Sequence, residues 1–413
     1  MSYTLTEIAN TTGIFKSLFE GAPAINNFGE VTWNALLDNG GSGIYIGTSS
    51  SIVTIATTPK SAKLGFPSIN DSGQITYTDE GGQPGVYLSS NSFSPTVLAF
   101  KNQLLTDVNR VEKFTSFLPD PAINNRGQVA FLAGLTGNNS GLFIGDGQGK
   151  LNRIADTVGT FSNLKFANLL GTDFEGDVAP SINDKGDTVF WGALDKKLPK
   201  GSAEYSQIPQ GDLAGNVRGI YLKLGDSAEI KTVVDNQGEY LSFFGSPDIN
   251  NSGDVAYIFR GDSLNNVKTP YRGINVYDNG KTATLIDNND HLGKDGYDDV
   301  DKFFRFGFVD INDNNTIAFS AQFDPLGDVG NDGQPDAPVF GVFTAHQLAG
   351  GGVEIDKVVA VGDTVHLGTG DKKVSDVLFF NNEGFNNQGQ LAFSLTFDDA
   401  TQGIYRANQF AGF

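Results

Sequence analysis

The chain alternates apolar and polar residues in short runs, and a turn sequence separates each run from the next. The run PAINNRGQVAF at 121–131 places Val129 and Phe131 on one face of a strand. Six related segments are PAINNFGEVTW at 23–33, PSINDSGQITY at 67–77, PSINDKGDTVF at 180–190, PDINNSGDVAY at 247–257, VDINDNNTIAF at 309–319 and EGFNNQGQLAF at 383–393. Seven copies of one segment indicate a repeat architecture.

Each repeat predicts four short strands. A strand ends in P-x-I, the turn N-[ND]-x-G follows, and a period-two strand comes next. The third strand begins with glycine, as in GIYIG at 43–47, and the fourth is rich in Ile, Val and Thr, as in SIVTIATT at 51–58. Four strands in about 59 residues (413 divided by 7) are typical of a propeller blade.

The two ends of the chain predict how the ring closes. The seventh repeat ends after its third strand, GIYRA at 403–407, whereas YTLTEIA at 3–9 reads as a fourth strand without a repeat of its own. Pairing these two segments leaves no open edge. We therefore predict an all-β fold, with residues 1–413 forming a single seven-bladed β-propeller of four-stranded antiparallel blades, closed by the N-terminal strand.

The recurring turn is explained by backbone chemistry without a ligand. Asn or Asp at the first position of a type I turn caps a following N–H, and glycine is favoured at the fourth position. Asn315 replaces the glycine in the sixth copy, and Asn is among the residues that tolerate positive φ best. The motif is predicted to be structural.

The pattern N-x-x-G-x-x-[AT]-[FYW] resembles the bacterial NxxGxxAF tandem-repeat family over essentially the whole chain. It is also similar to the propeller domain of cyanobacterial enzymes that alkylate phenols or carboxylates with alkyl chlorides. Those enzymes carry an additional domain of calcium-binding repeats, and this chain has no G-G-x-G-x-D repeats. The resemblance implies a propeller, but it identifies no catalytic residue in this sequence.

Composition narrows the classes of partner. The formal net charge of −20 argues against nucleic acid and anionic membranes, and no apolar run has the length of a membrane span. The chain has no cysteine, which excludes disulfides and thiolate chemistry. The N-terminal residues lack the pattern of a secretory signal, and the composition fits the cytoplasm or signal-less export. Oligomeric state is left open.

The irregular parts of the repeats predict where a ligand binds. The connection between the second and third strands is long only in repeats 4, 5 and 6, and residues 194–218, 258–272 and 324–340 contain it. We call this edge of the predicted ring the long-loop rim; it lies opposite the motif turns. Long loops in a compact domain are usually functional or disordered. By analogy with other propellers, we expect a binding surface for a small molecule or protein there.

Polar residues in or beside these connections are the candidate ligand-binding residues. They are Asp173, Glu175, Tyr205, Arg218, Arg260, Tyr271, Arg272 and Arg305. An alternative is an enzyme of alkylating or transferase type with a carboxylate–tyrosine–arginine site at the mouth of the central channel, in which a carboxylate acts as base and an arginine holds an anion.

A third interpretation is a calcium-stabilised extracellular structural protein. Asp328, Asp332 and Asp336, with Gly333, follow a spacing like that of a calcium loop. Gly330 and Val339 stand where further ligands are expected, so the match is partial.

Overall fold

The computed structural model describes residues 3–18, 21–60, 62–90, 94–107, 111–159, 163–170, 178–198, 215–261, 271–290, 302–325, 338–367, 370–379 and 383–409. These residues form seven small antiparallel sheets, one for each repeat. The predicted seven-bladed β-propeller is therefore confirmed. No helix in these ranges could span a lipid bilayer.

The strands follow chain order. The N-terminal strand is β1 (Tyr3–Asn10). Blade 1 comprises β2 (Phe15–Ser17), β3 (Ala24–Ile25), β4 (Val31–Leu37), β5 (Ser42–Thr48) and β6 (Ser51–Thr58). Blade 2 comprises β7 (Ser68–Ile69), β8 (Gln74–Asp79), β9 (Gly85–Ser90) and β10 (Thr96–Phe100). Blade 3 comprises β11 (Leu104–Leu105), β12 (Glu112–Phe117), β13 (Ala122–Ile123), β14 (Val129–Leu135), β15 (Asn139–Gly145) and β16 (Leu151–Asp156).

The remaining blades follow the same plan. Blade 4 comprises β17 (Phe166–Asn168), β18 (Ser181–Ile182), β19 (Thr188–Lys197), β20 (Asn216–Lys223) and β21 (Ile230–Asp235). Blade 5 comprises β22 (Tyr240–Ile249), β23 (Val255–Gly261), β24 (Arg272–Asp278) and β25 (Lys281–Asp287). Blade 6 comprises β26 (Lys302–Ile311), β27 (Ile317–Asp324), β28 (Val339–Gln347) and β29 (Val353–Ala360). Blade 7 comprises β30 (Thr364–Leu367), β31 (Gly370–Leu378), β32 (Leu391–Phe397) and β33 (Gln402–Gln409), and β1 completes it.

The ring closes as the sequence predicts. Strand β1 pairs antiparallel with β33, from Tyr3 opposite Gln409 to Asn10 opposite Gly403. The innermost strand is less regular than predicted: it is divided before or at the motif proline in blades 1, 3 and 4, whereas β22 of blade 5 continues through Pro247 with a register shift. Pro121, for example, separates β12 from β13, and both pair with β14. Proline cannot donate to a strand ladder, so the inner strand breaks there.

The core lies between the blades. Seven apolar clusters each combine residues of two neighbouring blades, including the cluster of Ile8, Trp33 and Ile404 that joins blades 7 and 1. Within blade 1 the motif aromatic, Trp33, stacks on Tyr45 with ring centroids 5.8 Å apart. A Cβ on Gly43 would lie 2.6 Å from the Tyr45 ring, which explains the glycine that begins the third strand.

The motif turns have the predicted backbone. Glycine occupies the left-handed position in six of them, with φ between 71° at Gly73 and 101° at Gly253. Asn315 adopts φ of 57° in the sixth. The prediction that Asn315 replaces glycine in a left-handed position is therefore confirmed.

A closed ring of hydrogen bonds joins the leading asparagine of every motif to the next blade. Each of these asparagines is buried, and its Nδ2 donates to the main-chain oxygen of the next leading asparagine. The donors run from Asn26 to Asn70, Asn124, Asn183, Asn250, Asn312, Asn386 and back to Asn26, with N···O distances of 2.8 to 3.3 Å. The motif therefore ties each blade to its neighbour as well as forming a turn.

A second ring is formed by the next residue of each motif. Its main-chain N–H donates to the side-chain Oδ1 of the same position in the following blade, at 2.7 to 2.8 Å. Asn and Asp alternate over Asn27, Asp71, Asn125, Asp184, Asn251, Asp313 and Asn387, and Asn387 adjoins Asn27 where the ring closes. Each aspartate lies between two asparagines whose amide groups donate to its Oδ2. Alternation keeps carboxylates from adjoining, which would place like charges in contact.

We expect Asn124→Ala to lower the free energy of unfolding by about 3 kcal/mol, since it leaves several buried groups without partners. Asn124 Oδ1 accepts from the N–H groups of Arg126 and Gln128, and its Nδ2 donates to Asn183 O. Asn124→Asp retains the acceptor of the turn but loses the donor to the next blade. Urea denaturation measures both variants.

Ser72→Ala is the matched control, because Ser72 is the exposed third residue of the neighbouring motif turn. We expect this control to change stability by less than about 0.5 kcal/mol. If Asn124→Asp lowers the free energy of unfolding no more than Ser72→Ala does, the hydrogen bond from Asn124 to the next blade contributes nothing to stability.

Candidate functional site

A cavity lies on the propeller axis, at the face formed by the motif turns. It offers about 130 Å³ of space to water and is lined by the two asparagine-containing rings of all seven motifs, with Asp248 and Glu383 among them. We call it the axial funnel. The described residues that line it include five carboxyl groups and no lysine, arginine or histidine.

Glu383 joins four blades inside the axial funnel. Its main-chain oxygen accepts from the N–H of Ile25 in blade 1 at 2.7 Å. Its carboxyl group accepts from the Ser68 hydroxyl at 2.7 Å, from Ile69 N–H at 3.1 Å and from Ile123 N–H at 3.3 Å. Glu383 has φ of 68°, a conformation that costs a non-glycine residue about 1–2 kcal/mol. The bonds to blades 1, 2 and 3 offset that strain.

Asp248 connects blades 4, 5 and 6 in the same way. It lies in blade 5 and accepts from the Ser181 hydroxyl of blade 4 at 2.6 Å and from Ile311 N–H of blade 6 at 2.8 Å. Burial raises the pKa of Asp248 and raises the pKa of Glu383 to about 8, although the donors oppose this shift. The two carboxyl groups accept hydrogen bonds from N–H groups of the inner strands that point into the axial funnel. These hydrogen bonds connect the blades to one another.

Sequence reasoning missed Asp248 and Glu383. Both occupy motif positions at which this sequence departs from its own pattern: Glu383 replaces the motif proline, and Asp248 stands where Ala or Ser occurs in the first four copies. These departures from the repeated motif were the signal in the sequence that could have identified the two residues. Their roles depend on contacts across the channel, which no local pattern reveals.

We expect the free energy of unfolding to fall as pH rises from about 4.5 to about 8, through the contribution of Glu383. Its folded pKa of about 8 exceeds the ordinary value of 4.5, so the folded state binds more protons over this interval. Glu383→Gln removes that titration and reduces the slope. The pKa of Asp248 is also raised, so its titration also lowers the free energy of unfolding as pH rises. This contribution is present in both the wild-type protein and Glu383→Gln.

Urea denaturation at several pH values measures the slope, and Glu229→Gln, an exposed residue of the β20–β21 connection, is the matched control. An unchanged slope in Glu383→Gln would contradict the assignment of this pH dependence to Glu383.

The long-loop rim brings two candidate arginines together. Arg260 is the penultimate residue of β23 and Arg272 is the first residue of β24, and the two residues lie directly opposite each other in the antiparallel ladder. Ile258 and Ile274 belong to the cluster shared with blade 6, so both arginine side chains lie on that side of blade 5. The Arg272 guanidinium lies 5.3 Å from the centroid of the Phe244 ring.

Arg218 and Tyr271 do not join this pair. Arg218 is buried on the side of β20 that faces blade 5, because Ile220 and Leu222 belong to the cluster of blades 4 and 5. Blade 5 therefore separates Arg218 from the arginine pair. Tyr271 packs on Phe259, and burial raises its pKa. Arg305 is exposed on β26.

The remaining candidates lie outside the described residues. They are Asp173, Glu175, Tyr205, Asp328, Asp332 and Asp336. Within the described ranges, no group of three or more histidine, aspartate or glutamate side chains is arranged to hold a metal ion. The calcium site stays a prediction.

The chain belongs to a family of unknown function, DUF7453, whose model matches residues 4–214 and 171–364. No curated protein matches the sequence.

Solved structures share the propeller fold at low sequence identity. The propeller domain of the trilobed protease from Pyrococcus furiosus is 9% identical, with a TM-score of 0.51 and coverage of 96% of this chain and 95% of that chain. The acylaminoacyl peptidase from Pyrococcus horikoshii is 11% identical, with a TM-score of 0.50 and coverage of 94% and 52%. A lectin from Burkholderia pseudomallei is 10% identical, with a TM-score of 0.45 and coverage of 96% and 98%. At these identities the likeness concerns the fold alone.

Proposed function

We propose that this propeller is a binding protein whose ligand site lies on the long-loop rim, and that the ligand presents an anionic group to Arg260 and Arg272. The observation that carries the proposal is the direct opposition of these two arginines across β23 and β24. Like charges in directly opposite positions destabilise a sheet, so an anion between them would relieve the repulsion.

The environment of Arg260 supports an anionic ligand. Its Nε is buried and has no hydrogen-bond partner among the described residues. A buried donor without a partner costs about 1–3 kcal/mol, and an anion near the guanidinium group would offset part of this cost electrostatically. A carboxylate or phosphate also accepts bidentate bonds from guanidinium groups. An anion site in a chain with a net charge of −20 also requires locally concentrated positive charge, which the pair provides.

We expect inorganic phosphate and succinate to bind the wild-type protein. Arg260→Gln and Arg272→Gln should each weaken binding about tenfold or more, since a charge-assisted hydrogen bond contributes about 1.5–3 kcal/mol. Phosphorus NMR line broadening measures phosphate binding, and saturation-transfer NMR measures succinate binding.

Lys281→Gln is the matched control, because it removes one positive charge from the exposed start of β25, next to the turn after β24 at the motif-turn edge of blade 5. It should leave binding unchanged. Failure of both probes to bind, or equal loss of binding in all three variants, would overturn the proposal.

The enzymatic alternative stays a prediction. It needs a carboxylate and a tyrosine beside the arginines, and Asp173, Glu175 and Tyr205 lie outside the described residues. The resemblance to alkylating propellers therefore supports no catalytic assignment.

A further inference from the structure

A serine lies in register with the arginine pair of blade 5. Ser242 of β22 lies directly opposite Arg260 in the antiparallel ladder, just as Arg260 lies opposite Arg272. Directly opposite residues have their side chains on the same face of a sheet. Phe244, two residues after Ser242, packs on the cluster shared with blade 6, so this face is the one toward blade 6. The three residues therefore form a polar row across three adjacent strands at the long-loop rim.

The side chain of Arg272 extends along this row toward the serine. Its guanidinium lies 5.3 Å from the centroid of the Phe244 ring. Phe244 belongs to β22, which is separated from β24 by β23. The Arg272 side chain therefore crosses β23 and ends beside the strand that carries Ser242. The donor groups of the row are thereby directed to one part of the blade, above β22 and β23.

Two of the three donors are open to solvent. Ser242 is half-buried, and its hydroxyl makes no hydrogen bond with the described residues. Its Oγ is not one of the buried polar atoms that lack a partner, so it reaches the surface. The same holds for both Nη groups of Arg260, whereas its Nε is buried. A ligand can therefore contact the Ser242 hydroxyl and the Nη groups of Arg260.

The charge of the row favours a ligand with two negative charges. Two arginines supply two positive charges, and a carboxylate group neutralises one of them. Across the cleft, blade 6 contributes Phe303 and Phe323 to the shared cluster, and these side chains carry no negative charge. Charge interactions are stronger beside such apolar surface, because the effective dielectric constant is lower. A phosphate monoester carries close to two negative charges at neutral pH and offers three acceptor oxygens.

Comparison of the repeats shows that the fold does not require two arginines at this position. The corresponding cross-strand pairs, each just before the glycine of the third strand, are Leu36–Ser42, Gly134–Ser140, Ala193–Arg218, Gln322–Phe340 and Thr396–Gln402. None of these five pairs has two charged residues. Blades therefore form without opposed charges here, and the arginine pair of blade 5 calls for another explanation.

We infer that the anion site of blade 5 binds a phosphate monoester, whose phosphoryl oxygens accept hydrogen bonds from Arg260, Arg272 and Ser242. This inference rests on the proposed function, because it uses the same two arginines, and it narrows the ligand from any anion to a tetrahedral dianion. A carboxylate has two oxygens, which the two arginines occupy. A phosphoryl group has a third oxygen that can accept from Ser242.

The test compares methyl phosphate, methyl sulfate and acetate as probes. Each probe has one methyl group, so saturation-transfer NMR measures all three affinities with the same kind of signal. At about pH 7.5, where methyl phosphate is mainly the dianion, it should bind about tenfold more tightly than acetate, a difference of about 1.4 kcal/mol. Methyl sulfate is tetrahedral but carries a single charge, so it should also bind more weakly than methyl phosphate.

Variants of the serine test its contact with the third oxygen. Ser242→Ala should weaken the binding of methyl phosphate about fivefold, through loss of one hydrogen bond, and should leave acetate binding unchanged. Ser242→Thr retains the hydroxyl and should retain tight binding of methyl phosphate. Ser116→Ala is the matched control, because Ser116 has the corresponding position in blade 3, opposite Gly134. It should leave the binding of both probes unchanged.

The outcomes separate this inference from the proposed function. If no probe binds, or if Arg260→Gln and Arg272→Gln leave acetate binding unchanged, the proposed function fails and the inference fails with it. If acetate binding requires both arginines but methyl phosphate binds no more tightly than acetate, the proposed function stands and the inference is overturned. The inference is also overturned if Ser242→Ala affects methyl phosphate no more than Ser116→Ala does.

Discussion

The structure depends on the hydrogen bond from each leading asparagine to the main chain of the next blade. Propeller blades are antiparallel sheets that contact their neighbours mainly through apolar side chains, and such contacts carry little directional information. The asparagine bond is directional, buried and repeated around a closed ring. It fixes the position of each blade relative to the next, at the narrow end where the inner strands have no further sheet partner.

The second ring and the two axial carboxyl groups extend the same constraint. Asp71, Asp184 and Asp313 accept amide donors from both sides, and Asp248 and Glu383 accept main-chain N–H groups across the channel. In these hydrogen bonds, the carboxyl groups that line the axial funnel accept donors from the protein itself. The fold therefore explains why the axial funnel is acidic. The most repeated residues of the chain therefore maintain the propeller, and the site proposed here uses residues that do not repeat.

The proposed site concentrates positive charge in an acidic protein. Arg260 and Arg272 face each other on blade 5. The motif-turn face carries the axial carboxyl groups. Such a division would direct anionic ligands away from the axial funnel and toward the opposite edge of the ring, over distances limited by the Debye length.

The sequence by itself determined the blade number, the order of strands, the closure by β1 and the backbone of the motif turns. These features are encoded locally, by period-two alternation and by the turn preferences of Asn and Gly, so Asn315 could be assigned to a left-handed position before any contact was known. Only the tertiary structure decided which polar residues meet. Arg260 and Arg272 are twelve residues apart and become opposed through the register of β23 and β24, whereas Glu383 reaches Ser68 across 315 residues. The Glu383 contact follows from the closure of the whole ring, and no short segment contains that information. The arginine pairing follows from the register of one hairpin, which the spacing of the two residues does not fix.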